Sequence, residues 1–524
     1  MPLIPINGIG EIGVVRDQPF DTLPANAWTD AKNVVFREGQ AWRVLGHTEV
    51  FSPPTVAPYW TLHIPTISTD YLMYAGLTKL HVVAGTTHTD VSRSVGGVYA
   101  ATADQSWNGG ILGGIPIVNN GVDDPQFWDL NIANNFEDLT NWPASTIASV
   151  IRTFKEFAIA LDVTESGTRD PYELRWSDAI SDPFTLPGSW VASATNKAGN
   201  HPLTRTSGFI IDGRALGDLF IIYKQDSIHS MQFIGGRQVF AFRELANDQG
   251  IFTRRCIANV RGNREQAFLG VDDIMLTDGR VVSSIATDRV RRAIYDSISS
   301  TNFQRCFVSA NEAEKEVWFC IVEEGFTFPN VAHIWNWEKN TWGHRELPLA
   351  AHISYGKIAE SAETYASITG TYANTDLTYN FGTFQDVKQG TVFADPTNTK
   401  LFQGEIGQQF DGVDVNVFVE RRGLALTVDR NGRPKPDIAT RKLLTEVYPH
   451  FTGQGTVQIT IGYQDELEGP VVWAAPLDFQ IGTDRKINPL LSGRAFAIRI
   501  EDTGADAWKL HGYDLNQEII GRYF

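Results

Sequence analysis

Short runs in which apolar and polar residues alternate are the commonest pattern in this chain of 524 residues. In TVQITIGYQ, Val457, Ile459 and Ile461 fall on one face of an extended chain, which predicts a strand with one buried side. The run EVWFCIVEE is apolar on both faces from Val317 to Val322, which predicts an inner strand covered on both sides. Such runs recur along the chain and predict an all-β fold.

One stretch departs from this pattern. In ATDRVRRAIYDSISS, Val290, Ile294 and Ile298 recur every four residues behind Thr287, which predicts a helix with Thr287 as its N-cap. One helix in a chain of this length leaves the predicted class unchanged.

An internal repeat subdivides the strand-rich region. GVDDPQFWDLNIANNFEDLTNW and GTRDPYELRWSDAISDPFTLPGSW both fit G-x-x-D-P, then W, seven residues, F, five residues and W. A period of roughly 40 to 50 residues is typical of a four-stranded propeller blade. We interpret G-x-x-D-P as a turn that stops a strand and the aromatics as packing between blades, with coincidence in a Trp-rich chain as the alternative. The repeated aromatics are Trp128, Phe136 and Trp142 in one copy and Trp176, Phe184 and Trp190 in the other.

These patterns predict three regions. We expect an N-terminal arm with the first strands at 1–55, a β-propeller of six to eight blades at 56–385 and a C-terminal β-sandwich-like domain at 386–524. A kelch-like stretch, HIWNWEKNTWGHRELP, also fits a blade, with an aromatic strand, a polar turn and Trp342. The polar stretch 361–400 is either a domain boundary or the hairpins of a late blade.

Composition narrows the function. Frequent Trp (14) and Gly (46) with scarce Met (4) favour β-structure, and the net charge of −17 argues against a general nucleic-acid binder. Cys256, Cys306 and Cys320 are odd in number and widely spaced, which argues against disulfides or a zinc site and favours a reducing compartment. The start, MPLIPINGIGEIG, does not look like a secretory signal, and no apolar run approaches about 18 residues, so we expect no membrane insertion.

Signatures of catalysis are weak. GIGEIG matches G-x-G-x-x-G, but Pro19 and Pro24 exclude the helix that a dinucleotide site needs, so we interpret it as a flexible arm. Asp272, Asp273 and Asp278 do not have the spacing of a calcium loop, and a turn at Asp278-Gly279 explains them better. There is no Walker loop, HExxH or GxSxG, so we expect no catalytic, cofactor-binding or metal-binding residue and no enzyme activity.

Two features keep other functions open. A propeller glycosidase would need two carboxylates roughly 5 to 9 Å apart, and with 61 Asp and Glu such pairs arise by chance. Basic residues gather in DRNGRPKPDIATRK, which is either a loop that contacts DNA or a partner subunit or a solvated hairpin tip. They are Arg430, Arg433, Lys435, Arg441 and Lys442.

The N-terminal stretch GVVRDQPFDTLPANAWTDAKNVVFREGQAWRVLG resembles the start of the nozzle or hub proteins in the tails of short-tailed phages (podoviruses). YLMYAGLTKLHVVAG, PYELRWSDA, LPGSW, GDLFIIYKQDSIHSMQFIGG and GYDLNQEIIGRYF resemble later pieces of that family in the same order. Val35 stands where the family usually has arginine. The residues that carry the N-terminal resemblance are Leu23, Pro24, Asn26, Trp28, Asn33, Val34, Phe36, Gly39, Arg43 and Gly46.

The resemblance implies a structural virion protein: a homo-hexameric nozzle at the distal end of the tail tube that retains the genome and opens for DNA ejection. Its partners would be other copies of itself, a tail adaptor above, and a tail fibre, spike or needle protein. DNA would pass through without sequence-specific binding, and the protein would be assembled in the host cytoplasm. The alternatives are a propeller adhesin and a capsule-degrading glycosidase on the virion.

The resemblance also suggests roles for particular segments. NVVFREGQAW would be a strand and hairpin that closes a blade or grips a neighbour, with Trp28 and Trp42 buried. The long polar segments ANTDLTYNFGTFQDVKQG (373–390) and Asp429–Pro436 are the candidates for loops that gate the channel.

Overall fold

The computed structural model describes residues 3–66, 70–236, 238–357, 389–428, 434–466 and 469–522. Strands make up 52% of the structure and helices 2%, so the predicted all-β class is confirmed. The chain forms two compact units, each assembled from separate segments. Unit 1 comprises 1–48, 249–348 and 405–524, and unit 2 comprises 49–248 and 349–404.

Up to Asn247, the described part of the chain contains twenty-one strands. They are β1 (Ile4–Asn7), β2 (Asp30–Lys32), β3 (Val34–Arg37), β4 (Gln40–Arg43), β5 (His47–Glu49), β6 (Trp60–Ile64), β7 (Tyr71–Ala75), β8 (Leu80–Ala84), β9 (Thr87–Asp90), β10 (Asn108–Leu112), β11 (Ile115–Asn119), β12 (Gln126–Phe127), β13 (Glu137–Asp138), β14 (Thr146–Phe154), β15 (Phe157–Glu165), β16 (Thr168–Trp176), β17 (Gly199–Pro202), β18 (Ile210–Leu216), β19 (Leu219–Lys224), β20 (Ser227–Phe233) and β21 (Phe240–Asn247).

From Ile257 the chain continues with further strands and two short helical segments. They are β22 (Ile257–Val260), β23 (Glu265–Leu269), β24 (Ile274–Thr277), β25 (Val282–Ser284), α1 (Arg291–Ser297), a 3-10 turn (Phe303–Arg305), β26 (Phe307–Asn311), β27 (Glu316–Ile321), β28 (Val331–Asn336), β29 (Thr341–Glu346), β30 (His352–Lys357), β31 (Gln389–Asp395), β32 (Lys400–Gly404), β33 (Val417–Leu424), β34 (Leu426–Val428), β35 (Pro434–Pro436), β36 (Thr440–Gly453), β37 (Thr456–Gln464), β38 (Val472–Trp473), β39 (Leu477–Gln480), β40 (Leu491–Gly493), β41 (Ala495–Asp502) and β42 (Trp508–Arg522).

Antiparallel arrays of four strands are the repeating element of the described residues. Successive hairpins form S1 (β6–β9), S2 (β10–β13), S3 (β14–β17), S4 (β18–β21), S5 (β22–β25) and S6 (β26–β29). A seventh, S7, joins β30, β31 and β32 to β5 from the N-terminal segment. Four-stranded meanders of this kind are the building unit of propellers, so the propeller-like class predicted from the repeat is confirmed.

In unit 2, successive arrays pack face to face. The first strands of S7, S1, S2, S3 and S4 contact one another in that order. Large apolar side chains fill the space between neighbouring arrays. Met73 and Trp60 of S1 pack with Val118 of S2, and Phe220 of S4 packs with Phe157 of S3. This packing explains the regular aromatic residues of the sequence.

The repeat predicts most of these aromatic positions. Trp128 follows the third strand of S2, and Trp176 ends the third strand of S3, where it contacts Phe240 of S4. Phe136 is buried, but Phe184 is 58% exposed, so the prediction fails at that position. The second D-P pair also lies inside β16 rather than ending a strand, because β17 begins to pair only from Glu173 and leaves the edge at the proline open.

Unit 1 is organised around a sheet of ten strands. Its order is β26-β27-β28-β29-β3-β4-β42-β36-β40, with β1 beside β42, so S6 is continuous with strands from both chain ends. A second sheet of six strands contains β2, β33, β41, β37, β38 and β39. The strand predicted at TVQITIGYQ is β37, whose Val457, Ile459 and Ile461 are buried.

The helix is shorter than predicted and is capped differently. α1 begins after Val290, and Thr287 binds Ser284 and Asp273 instead of the helix. The carboxylate of Asp17 accepts the N–H groups of Arg292 and Ala293 at 2.8 and 3.1 Å. The N-terminal arm therefore supplies the cap that the helix sequence does not provide.

The three regions expected at 1–55, 56–385 and 386–524 stay a prediction. The compact units are drawn from non-contiguous segments, with 405–524 grouped with 1–48 and 249–348. Residues 389–404 form two strands of S7, in line with the second interpretation of the polar stretch, the hairpins of a late blade.

Candidate functional site

The structural centre of unit 1 is the hairpin β3–β4, formed by the NVVFREGQAW stretch. Its two-residue turn, Glu38-Gly39, has φ values of 51° and 78°, the left-handed geometry that matches the twist of adjoining strands. β3 contacts β29 through Val34 and His344, and β4 pairs with β42. The hairpin thus links S6 to the C-terminal strands inside one sheet.

A buried arginine network secures this hairpin. The guanidinium of Arg37 donates to both carboxylate oxygens of Glu316, at 2.7 and 2.8 Å, and to Glu405 at 3.1 Å. Arg345 donates to the other oxygen of Glu405 and to the carbonyl of Gly46, the latter at 3.1 Å. The side chains of Glu316 and Arg345 are fully buried.

The charges of this network balance within the protein interior. Burial acts to lower the pKa of Arg37, but the carboxylates of Glu316, Glu405 and Glu314 together outweigh it and raise that pKa above the ordinary value. Arg345 lies over the rings of Trp318 and Phe410, 5.1 and 5.3 Å from their centroids. Both carboxylates are held by arginines, an arrangement that joins β3, β27, β29 and the segment after Gly404.

A second buried pair holds the other strand of the hairpin. Arg43 donates to Asp502 at 2.6 Å and to the carbonyl of Gln408 at 3.0 Å. The indole N–H of Trp508 donates to the same Asp502 oxygen at 2.9 Å. One carboxylate therefore connects β4, β41 and the start of β42.

The backbone of the N-terminal arm is also bound, by the Arg421 side chain and by backbone bridges. Arg421 donates to the carbonyls of Phe20 and Leu23, at 2.8 and 2.9 Å, and burial lowers its pKa to about 10. GIGEIG, interpreted from the sequence as a flexible arm, is instead paired, with Gly10 bridging Gly39 and Gly13 bridging Trp342. A Cβ at residue 10 would lie 2.2 Å from the backbone N of Gln40, so close backbone contact explains this glycine.

The predicted burial of the two tryptophans is half correct. Trp28 is 1% exposed and donates to the carbonyl of Ile9 at 2.9 Å. Trp42 is only partly buried, and the Nζ of Lys509 lies 3.3 Å from the centroid of its ring. Val35, the departure from the family pattern, is buried in β3.

In unit 2, a largely buried arginine–carboxylate ion pair also connects neighbouring arrays. Arg152 of β14 donates to both carboxylate oxygens of Asp212, at 3.0 and 2.9 Å, and to the carbonyl of Gly213 at 3.2 Å. Its Nη1 also lies 3.5 Å from the carbonyl of Gly109 in β10. One arginine thereby connects the first strands of S2, S3 and S4.

The basic stretch DRNGRPKPDIATRK does not form one charged cluster in its described part. Arg430 and Arg433 lie outside the described residues, and Lys435 is exposed on β35. Arg441 forms an ion pair with Asp465 at 3.5 Å. Lys442 is buried and donates to the backbone carbonyls of Asp437 and Arg494, and burial lowers its pKa to about 8.

The remaining candidates have structural surroundings. Asp278 accepts the N–H groups of Arg280 and Val281 at 2.8 Å, which confirms the predicted turn. The three cysteines are free and buried. Of the segment 373–390, all but the start of β31 lies outside the described residues, as do residues 429–433 of the other candidate gate.

No group of three or more His, Cys, Asp or Glu within the described ranges is arranged to hold a metal ion. In the same ranges, no helix is both long and apolar enough to cross a membrane. The acids that are buried in the described structure are bound either by arginine or, for Asp395, by the turn at Thr397 and Asn398. The acids with arginine partners are Asp162, Glu173, Asp212, Glu316, Glu420 and Asp502.

The arginine network is not predicted by the sequence pattern. Glu316 begins the apolar run EVWFCI, and a charge at the start of a fully buried strand is the one local signal for a buried partner. The identity of that partner, 279 residues away in the chain, depends on the fold.

No protein-family model matches the sequence, and no curated protein does. Solved structures resemble the fold at low identity. A fungal alcohol oxidase of the AA5 family, in complex with copper, aligns over 90% of this chain and 92% of its own with 9% identity and a TM-score of 0.38. PorZ, a surface component of the type-IX secretion system of Porphyromonas gingivalis, aligns over 73% of this chain with 8% identity and a TM-score of 0.35. A glycoside hydrolase aligns over 90% of this chain and 99% of its own with 10% identity and a TM-score of 0.24. This chain spans 43% of the PorZ chain.

Proposed function

We propose that this chain is a structural component of a phage tail, a homo-hexameric nozzle or hub that retains the genome and opens for DNA ejection. The observation that carries the proposal is the hairpin β3–β4, the stretch with the family resemblance, which joins S6 to the C-terminal strands. In this arrangement both chain ends are held in one sheet by long-range pairing and by buried ion pairs. Such a framework suits a rigid wall rather than a site of chemistry.

The charge of the molecule supports the same function. A net charge of −17 limits attraction to phosphate, because nonspecific DNA binding depends on basic residues that release counterions. DNA would therefore pass such a surface without being retained. The tail adaptor, and a fibre, spike or needle protein, would be the neighbours in the virion.

Electron microscopy tests this proposal. Virions labelled with an antibody against this protein should carry the label at the distal tip of the tail, and class averages of the tip should show a ring of six copies. Label on the capsid, or on appendages of threefold symmetry, would contradict the proposal.

A parallel assay addresses the alternatives. Purified protein incubated with capsular polysaccharide should release no new reducing ends, and the same preparation should not bind immobilised host glycans. Release of reducing ends would assign the chain to the capsule-degrading glycosidases instead.

A further inference from the structure

The loop at residues 50–58, which lies between β5 and β6, has a strained backbone. Phe51 and Ser52 have φ values of 67° and 64°, so two consecutive residues other than glycine adopt the left-handed conformation. Such a pair costs free energy that the surrounding contacts must offset. The chain enters unit 2 at residue 49, so this loop belongs to the first segment of that unit.

A chain of hydrogen bonds between four side chains holds this loop on S1. The Nε2 of His88 lies 2.5 Å from the carbonyl oxygen of Phe51, and its Nδ1 lies 3.0 Å from the hydroxyl of Tyr74. The Oγ1 of Thr55 lies 3.2 Å from the same hydroxyl and 2.7 Å from the Nε2 of His81. The chain therefore runs from the strained Phe51 to His81 on the third strand of S1.

The direction of each hydrogen bond follows from the groups at the two ends. A carbonyl only accepts, so the Nε2 of His88 carries a proton, and the Nδ1 of the neutral ring accepts from Tyr74. Thr55 then donates to Tyr74 and accepts from the Nε2 of His81. The opposite choice at Thr55 would put a proton on the Nδ1 of His81, an atom that is buried and has no hydrogen-bond partner among the described residues.

An added proton has no favourable place in this chain. Protonation of His81 puts a proton on its Nδ1, where no acceptor lies. Protonation of His88 makes its Nδ1 a donor, so the hydrogen bonds of Tyr74 and Thr55 must reverse. That reversal again leaves a proton on the Nδ1 of His81. Either site of protonation therefore leaves a buried N–H group without an acceptor, whereas water would accept from it once the loop is released.

The charged groups around the chain do not compensate for this cost. Burial lowers the pKa of His81 below its ordinary value, and the opposite effect of Asp90 is met by those of Lys79 and His88. Asp90 is itself paired with Lys79 at 2.7 Å. The titratable groups on the elements around the chain are Tyr74, Lys79, His88 and Asp90 of S1 and Glu49, Asp395 and Lys400 of S7.

S4 contains the same histidine–threonine contact without the rest of the chain. The Nε2 of His229, on the third strand of S4, lies 2.9 Å from the Oγ1 of Thr206, in the loop before the first strand. Thr206 also accepts from Lys224 at 2.9 Å, and the left-handed residue of that loop is a glycine, Gly208. S1 thus adds a second histidine and a strained backbone to a contact that recurs in unit 2.

We propose that the hydrogen-bond chain from His81 to His88 is an acid-sensitive latch that holds loop 50–58 on S1 at neutral pH and releases it in mild acid. The strained backbone favours release once the hydrogen bonds are broken. Release uncovers Leu72 and Val83, apolar residues of S1 against which the loop packs. The inference concerns unit 2 alone and does not depend on the proposed tail function.

Hydrogen exchange measured by mass spectrometry at pH 7 and pH 5 tests the latch. The peptide to follow spans residues 50–59, in which Val50, Thr55 and Tyr59 donate backbone hydrogen bonds. Labelling times are scaled for the intrinsic pH dependence of exchange. Exchange should then be up to roughly 25-fold faster at pH 5, the ratio expected when one histidine takes up a proton at the ordinary value of about 6.5 only in the released loop.

Variants assign this response to the chain. His81→Gln with His88→Gln has no imidazole to protonate, so its corrected exchange rate should be the same at both pH values. Tyr74→Phe interrupts the chain at its centre, so exchange of the loop should already be fast at pH 7 and change little at pH 5. His229→Gln is the matched control, because it removes the equivalent histidine of S4, and the response of residues 50–59 should stay that of the wild type. Circular dichroism establishes that each variant is folded.

The inference fails if the wild-type loop has the same corrected exchange rate at both pH values. It also fails if the double variant keeps the acid response, or if His229→Gln removes it, because the response would then reflect destabilisation of the whole unit. A Tyr74→Phe variant protected like the wild type at pH 7 would show that the chain does not hold the loop. If the double variant does not fold, the wild-type and Tyr74→Phe measurements decide.

Discussion

Lys315 and Glu316 are adjacent in the chain, but their ion pairs differ in solvent exposure. Lys315 pairs with Glu338 at 2.8 Å, and both side chains are about half exposed. Glu316 pairs with Arg37, and their side chains are only 0% and 8% exposed. Removing one partner of a buried pair leaves an uncompensated charge in the interior, whereas an exposed charge is solvated by water.

Glu316→Ala should therefore destabilise unit 1 by about 3 to 5 kcal/mol. Lys315→Ala should cost less than about 1 kcal/mol, because it breaks an exposed pair. The shift of the urea midpoint, followed by tryptophan fluorescence, compares the two variants. Replacing the pair with apolar residues, Arg37→Met with Glu316→Leu, should recover much of the loss. Equal shifts for the two single variants would show that the network is unimportant for stability.

Two histidines of unit 1, the buried His47 and the partly buried His344, make its stability depend on pH. Burial lowers the pKa of His344 to about 3, with a smaller effect from Arg16, and lowers the pKa of His47 to about 3, with a smaller effect from Arg345. The unfolded chain takes up these protons near the ordinary value of about 6.5, so it binds more protons than the folded chain below that pH. The contribution of these two neutral histidines to the free energy of unfolding is therefore complete above about pH 6.5, and it is lost as the pH falls towards 3.

His344→Gln should flatten this dependence. The variant has no imidazole to protonate at this position, so its melting temperature should fall less than that of the wild type between pH 7 and 5. Its stability at pH 7 should be lower, because the ring packs against His333 and accepts the N–H of Asn33. His450→Gln, at a half-exposed site, provides the control. Parallel curves for His344→Gln and the wild type would exclude this histidine as a source of the pH dependence.

At the scale of elements, the attachment of the N-terminal arm depends on close backbone contacts. Gly10→Ala places a Cβ 2.2 Å from the backbone N of Gln40, so the arm must move away from β4. Faster hydrogen exchange should result at residues 4–15 and at the hairpin β3–β4, as measured by mass spectrometry. Gly188→Ala is the matched control, because its Cβ would meet no atom within 4 Å. Unchanged exchange in Gly10→Ala would contradict the role assigned to this contact.

Elements whose pattern is local could be predicted from the sequence. The alternation in β37, the apolar run in β27 and the turn at Asp278 each depend on neighbours a few residues away, so their structures follow from composition and spacing. The cap of α1 could not be predicted in this way, since Asp17 lies far from the helix in sequence. Phe184 shows that a repeat in the sequence can also mislead. It matches the buried Phe136 in the repeat, yet its side chain is exposed.

The candidate site was harder to predict than the strands around it. The sequence predicts the opening stretch as a strand and hairpin, but its partners are Glu316, Glu405 and Asp502, which no local pattern connects to it. Side chains that meet across hundreds of residues are set by topology, and topology is fixed by the packing of whole sheets.

For the whole molecule, the interlocked chain ends lead to a prediction about truncation. Deleting residues 1–46 removes β1 to β4, so β29 and β42 lose a neighbouring strand. It also removes Arg37 and Arg43, leaving Glu316 and Asp502 without their arginines in a buried environment. The truncated chain should aggregate, because open strand edges and unpaired buried charges both favour association of unfolded material.

Soluble yield and light scattering measure this effect, with deletion of residues 1–3, which precede β1, as the control. A synthetic peptide of residues 1–46 added during refolding should restore soluble protein, since the deleted strands contact the rest of unit 1 without covalent help. A truncated chain that stays soluble with the wild-type melting temperature would mean that S6 and the C-terminal strands hold together without the hairpin. The mechanical role of the opening stretch would then fail, and with it the main structural support for a tail-wall function.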